Sequence, residues 1–254
     1  MIHFFRRYRQ SLFKGNRFTR YLVYALGEIV LVVIGIMIAI QLNEWNANRK
    51  LQNENYLYIR KMIGDLKATQ SRLDLLLHQN DPVWPSFKQA VKNADTLLKL
   101  SYAGFSEEDI DFIGKTTAFQ GGSMLNITDN TYQELMGTGK LYTLGSDSLV
   151  ASIVRYYTIC EREEIYNISN RDLLWHGLQV SEKGFGKMKM DYELATNFEL
   201  SDYPFYFDPK SEEYHNYQIT LRYLLLGQRI NMSKIEMLIR ETETLQLQLK
   251  HALP

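Results

Sequence analysis

The sequence predicts a mainly α protein in which one N-terminal transmembrane helix continues into an extramembrane helical bundle. Three observations carry this. Residues 21–42 form an apolar run with one formal charge. Beyond it, apolar residues recur at three- and four-residue spacing over most of the chain. Proline and glycine gather at the joints between those stretches. With 254 residues, 45% of them hydrophobic, the chain can build a real core in one or two domains. Disorder and a disulfide-stapled miniature are both excluded. The single cysteine, Cys160, cannot form an intramolecular disulfide, so it carries no information on compartment.

Three regions follow in order: a basic cytoplasmic leader (1–20), the transmembrane helix (21–42) and an extracytoplasmic, periplasmic helical domain (43–250). The leader carries Arg6, Arg7, Arg9, Lys14, Arg17 and Arg20 and no acid. Phe5, Tyr8 and Leu12 recur among them at helical spacing, so the leader either lies flat on an anionic inner leaflet or only orients the span. At about 1.5 Å per residue, the 22 residues of the span match a hydrocarbon core of roughly 30 Å. A secretory signal would show a shorter apolar region and a small-x-small cleavage site, whereas this run ends in Gln41, Leu42, Asn43, Glu44 and Trp45. A retained anchor is therefore expected. Only Arg49 and Lys50 closely follow the span, so the positive-inside rule puts the N-terminus in the cytoplasm. Trp45 and Tyr21 or Tyr24 would anchor the two interfaces. From position 43 onward 23 basic residues face 28 acidic ones, which argues against a nucleic-acid surface.

Several residues around the span carry a resemblance. Arg17, Tyr21, Leu22 and the run Tyr24-Ala25-Leu26-Gly27-Glu28-Ile29 lead into Leu31-Val32-Val33-Ile34-Gly35-Ile36. Ala39, Gln41, Asn43, Trp45 and Asn46 complete the pattern. This string resembles an uncharacterised family of single-pass membrane proteins common in Bacteroidota. The likeness is dense over about residues 4–50 and looser beyond, where Tyr132 and Leu135 followed by Gly139 and Leu141 carry it. The resemblance implies a bacterial inner-membrane protein with a periplasmic domain, and it implies no chemistry.

Glu28 is the most informative residue of the span, because an ionisable side chain there is costly and faces a bundle interior, a cavity or a partner. Glu28, Val32, Gly35, Ala39, Leu42 and Asn46 fall on one helix face. Gly35 and Ala39 form a small-xxx-small pair that permits close backbone approach. This is the expected transmembrane association face, for a second copy or another membrane protein. Two other readings stay open: Glu28 snorkels to Arg17 or Arg20, or it handles protons.

The outer domain reads as successive helices. Ile59, Met62, Leu66, Leu73 and Leu76 keep helical spacing up to a stop at Asn80-Asp81-Pro82. A helix over about 85–100 carries Phe87, Val91, Ala94 and Leu98. Ser106 caps a short helix with Ile110 and Ile113. Residues Gln120 to Ser123 read as a loop. Thr131 matches the start of a capping box, with Gly139 as a left-handed stop. Ser146 opens a helix followed to about residue 182 through Leu149, Ile153, Tyr157, Cys160, Ile168 and Trp175. Residues 183–209, with Gly184, Gly186, Pro204 and Pro209 among aromatics, read as a long loop or a lid. A final helix from Glu212 carries an unbroken stripe from Tyr214 to Leu249, interrupted in polarity by Gln228, Asn231 and Thr242.

Catalytic motifs do not emerge. The five histidines are scattered, and no metal spacing, phosphate loop or nucleophile elbow is present. The acidic group Glu107, Glu108, Asp109 and Asp111 reads as a first-turn helix feature rather than a cation site. No cofactor and no catalytic or metal residue is expected. The expected function is a non-enzymatic membrane-anchored envelope scaffold or assembly partner; the alternative is a periplasmic sensing or ligand-binding module that signals through a separate membrane partner. The lipid bilayer and a homo-oligomeric or other membrane-protein contact are the expected partners, and nucleic acid is not.

Overall fold

The computed structural model describes residues 17–79, 85–119 and 124–254. Among these residues there are seven α-helices and no strand: α1 (Arg17–His78), α2 (Phe87–Ala103), α3 (Ile110–Lys115), α4 (Asn130–Thr138), α5 (Asp147–Val180), α6 (Lys187–Leu194) and α7 (Glu212–His251). Two compact units divide the chain, Met1–Leu57 and Tyr58–Pro254.

In the first unit the described residues belong to α1. Residues 21–53 are exposed throughout. Among the described residues one helix is long and apolar enough to cross a membrane, and none of its apolar window is buried by them. Arg6, Arg7, Arg9 and Lys14 lie outside the described residues, as do the stop at Asn80 to Pro82 and the loop from Gln120 to Ser123.

The second unit is a helical bundle organised on α7, a 40-residue helix about 60 Å long. Ser211 caps it by accepting from the Tyr214 amide, Glu212 and Glu213 occupy its first turn, and Lys250 and His251 its last, all in the sense that complements the helix dipole. Every residue of the stripe Tyr214, Tyr217, Leu221, Leu224, Gln228, Asn231, Ile235, Leu238, Thr242, Leu245 and Leu249 is buried. Along α5, Arg155 meets Glu241, Tyr156 meets Thr242, Asn170 meets Asn231, and Gly177 meets Thr220. From Arg155 to Gly177 on α5 the partners on α7 run back from Glu241 to Thr220, so α5 and α7 are antiparallel. Asp95 with Arg229 and Ser101 with Gln218 set α2 antiparallel to α7 in the same way. Gln70 and Gln246 join α1 to α7.

Two apolar regions share α7. Toward its N-terminal half, Phe105, Ile113, Phe185, Met188, Tyr206 and Tyr214 cluster with Leu221, Leu224 and Leu225. Toward its C-terminal half, Leu238 and Leu245 are buried, as are Ile59, Met62, Leu66 and Leu73 of α1 and Ile153 and Tyr156 of α5. The level of Gln228 to Lys234 is polar. Buried Glu163 pairs with Arg162 at 2.7 Å and Lys234 at 3.3 Å, and Asn170 donates to Asn231 at 2.8 Å. Gln228 is buried with neither amide atom hydrogen-bonded.

Local chemistry explains the boundaries. Ser86 accepts from the Gln89 amide, so α2 starts at Phe87, two residues after the proline. Its fully buried face is Phe87, Ala90, Ala94, Leu97 and Ser101, leaving Val91 and Leu98 at the edge. Asp109 turns back onto Ser106, accepting from its amide at 2.8 Å and its hydroxyl at 2.7 Å. Asp111 accepts from the Tyr192 hydroxyl at 2.6 Å and pairs with Lys115. These acids are therefore engaged in holding the chain rather than left free. Gly139 has φ 71°, the left-handed stop its position requires.

Three expectations are corrected. Thr131 does not cap α4, which begins one residue earlier; its amide donates instead to Asp65 of α1 at 2.8 Å, a tertiary contact that replaces the local one. On α5 the buried face does not run through Ile168 and Trp175. Past Cys160 it passes to Glu163, Asn167, Leu174 and Gly177, because the neighbour being packed changes along the helix. Residues 183–209 are not an open loop. They form a π turn (Glu182–Gly186), α6 and two 3₁₀ turns, and Pro204 opens the second of these, where its fixed φ fits the first helical position.

Gly114 places α3 against α6. A Cβ at this position would lie 2.3 Å from Cδ1 and 2.8 Å from Cγ of the Tyr192 ring. The ring cannot swing away without breaking its bond to Asp111. Gly114→Ala is therefore expected to destabilise by about 1–3 kcal/mol despite alanine's better helix propensity; thermal unfolding of the purified chain measures this.

Candidate functional site

Glu28, Val32, Gly35, Ala39, Leu42 and Asn46 all lie on α1, and all are exposed. Their spacing keeps them on one face, Glu28 more than two helical turns from Ala39. A Cβ added to Gly35 would meet nothing within 4 Å, so none of the described residues packs against that position. Arg17 and Arg20 stand in the opening turns of the same helix.

A second feature lies within the bundle unit, where sequence reading assigned no site. A cavity of about 580 Å³ opens beside α7. Its walls include Leu97 of α2, Phe119, Trp175 of α5, and Leu221 and Leu224 of α7. The size and the apolar lining are those of small-molecule sites. The π turn builds one wall: the Gly186 amide donates to Ser181 five residues back at 2.8 Å, and this wider turn joins α5 to α6. Gly184 lies against α7, where a Cβ would meet Glu213 Cβ at 2.8 Å. Phe185 between the two glycines enters the core, stacked on the Tyr217 ring with centroids 4.1 Å apart.

Polar residues also line this space, among them Thr117, Gln179, Ser181, Lys189, Tyr217 and Thr220. Lys189 of α6 donates from Nζ to the Thr116 carbonyl at 2.6 Å. Burial pushes its ammonium down to about 8, with Glu193 one turn on pulling the other way. An ammonium has three donors, so two remain after Thr116 is served. Tyr217 of α7 also lines the cavity, and its hydroxyl is buried with no hydrogen-bond partner. Burial raises that phenol well above its ordinary value, which keeps it a neutral donor. The remaining charges are Glu182, exposed at the rim, and Lys187, which is paired with Asp191. Trp175 is 49% exposed and meets Phe119 edge-on at 5.0 Å.

No local signal marks Lys189. It sits in Lys187-Met188-Lys189-Met190 with Glu193 four residues on, the pattern of an ordinary solvated helix face. It is half-buried, and its ammonium meets a carbonyl 73 residues away, that of Thr116. Tyr217 was legible only as a member of the α7 stripe.

A family model described as a family of unknown function (DUF6090) matches residues 28–197. The match takes in the α1 face from Glu28 to Asn46, together with Trp175 and Lys189. No curated protein and no solved structure matches the chain.

Proposed function

The chain belongs to the DUF6090 family, and on that premise we propose that it is a non-enzymatic, membrane-anchored envelope protein, a scaffold or assembly partner that associates through α1 and through its helical bundle. One observation carries the reading: an apolar helix that none of the described residues covers, with a carboxyl, two small residues and an amide aligned along one face. The basic asymmetry across residues 21–42 supports an inner-membrane, single-pass placement with the N-terminus cytoplasmic and the bundle periplasmic. The resemblance noted from sequence supports a Bacteroidota source. A homo-oligomer or a second membrane protein would complete the α1 face, and the bilayer would cover the rest.

A transmembrane association assay tests this. Gly35→Leu fills the groove and is expected to weaken association about tenfold, while Glu28→Gln keeps most of it because an amide still hydrogen-bonds in apolar surroundings. Association unchanged by Gly35→Leu sinks the reading, since that substitution attacks packing and leaves the charge alone. A second reading, a ligand-binding module handing its state to a membrane partner, is favoured by the cavity beside α7.

A further inference from the structure

We infer that the cavity between α2, α5, α6 and α7 is a binding site for a small amphiphilic carboxylate, its apolar body against Trp175, Phe119 and Leu221 and its head group on Lys189 Nζ. This deepens the ligand-binding reading and rests on it; it is independent of association through α1.

The space itself is the first ground. About 580 Å³ walled by leucine and aromatic side chains favours an apolar body of small-molecule size. The cation is the second. Lys189 has one donor satisfied by Thr116 and two to spare, and Glu193 is the carboxylate that acts on its charge. A ligand carboxylate has two oxygens, matched to these two spare donors. The wall is also asymmetric in charge: Lys187 is neutralised by Asp191, and Glu182 stands exposed at the rim. Lys189 is therefore the cation left for an acid.

The test uses the full chain in phosphatidylcholine nanodiscs, with 6-fluoro-2-naphthoate and the uncharged 6-fluoro-2-naphthamide as probes. Binding is read from fluorine NMR line broadening against empty nanodiscs at pH 7. Saturable binding of the acid is expected, about tenfold or more tighter than the amide, the worth of one charge-assisted hydrogen bond. Lys189→Met should bring the acid down to the amide's affinity. Ala118→Leu, which intrudes on the cavity and leaves Lys189 in place, should weaken both probes and serves if Lys189→Met proves unfolded by circular dichroism. Equal affinity for acid and amide overturns the carboxylate assignment but leaves a ligand site standing. Absence of saturable binding by either probe overturns both, as does acid binding that survives Lys189→Met and Ala118→Leu unchanged.

Discussion

Replacing Phe185 by alanine is expected to remove about 3–5 kcal/mol of folding stability, the range for a large aromatic deleted from a packed core. Its ring is fully buried, at 5.7 Å from Phe105, 5.2 Å from Phe205 and 5.7 Å from Tyr214, besides the stacked Tyr217. These partners come from the segment after α2, from the 3₁₀ turns and from α7, so no single neighbour can move in to refill the space. Tyr206 and Tyr214 are further fixed by hydroxyl bonds to the carbonyls of Ser106 and Ser101, both at 2.8 Å. Phe207, 48% exposed, provides the control: Phe207→Ala should change stability by no more than about 0.5 kcal/mol. Equilibrium urea unfolding of the full chain in dodecylmaltoside compares the two. A similar midpoint shift for both variants would mean that the cluster does not hold the N-terminal half of the bundle.

Alkali should unfold this protein steeply. Tyr156, Tyr157 and Tyr217 are buried, and burial is the main cause that raises each phenol above its ordinary value of 10. Above pH 10 the unfolded chain releases these protons and the folded chain keeps them, so stability falls as pH rises. Each group contributes about 1.4 kcal/mol per pH unit, and three together give about 4. Cys160, pushed up to about 12 chiefly by burial, acts in the same direction. Lys189 acts oppositely. Its folded value near 8 lies below 10.5, so between those limits the unfolded chain holds more protons and stability gains with pH. A maximum between about pH 8 and 10 followed by a steep fall is the expected profile, read from the urea midpoint at successive pH values. Tyr157→Phe should lessen the fall by about 1.4 kcal/mol per pH unit. It should be neutral or slightly stabilising at pH 7, because the hydroxyl it removes has no partner. Tyr156 donates to Thr242 at 2.9 Å, and Thr242 in turn to the Leu238 carbonyl, so Tyr156→Phe should cost about 1 kcal/mol. A profile that is flat from pH 8 to 11 would contradict the burial of these phenols.

Sequence periodicity was most informative where one partner is packed along a whole helix. The α7 stripe from Tyr214 to Leu249 is buried at every position, since α7 lies at the centre and its inward face does not change. On α5 the same reasoning failed after Cys160. Periodicity reports which face is apolar, and the buried face of α5's second half contains Glu163 and Asn167, polar residues that only a tertiary pairing with Lys234 and its surroundings could place inside. Segment 183–209 failed for a related reason. Its glycines and prolines read as breakers, yet Gly184 and Gly186 serve close packing and a π turn, and Pro204 opens a helical turn. A residue's sterics limit what it can adopt; they do not select among the permitted conformations.

By itself, then, the amino-acid order determined the helical class, the apolar segment long enough to cross a membrane, the caps at Ser106 and Ser146, the left-handed stop at Gly139 and the core face of α7. Each of these is a local property, set by side-chain periodicity or by a hydrogen bond spanning about three residues. The tertiary structure alone decided the cavity, the contact of Lys189 with the Thr116 carbonyl and the orphaned hydroxyl of Tyr217. Desolvation is the physical reason: it depends on which distant segments exclude water from a group, and the sequence around Lys189 or Tyr217 contains none of those segments.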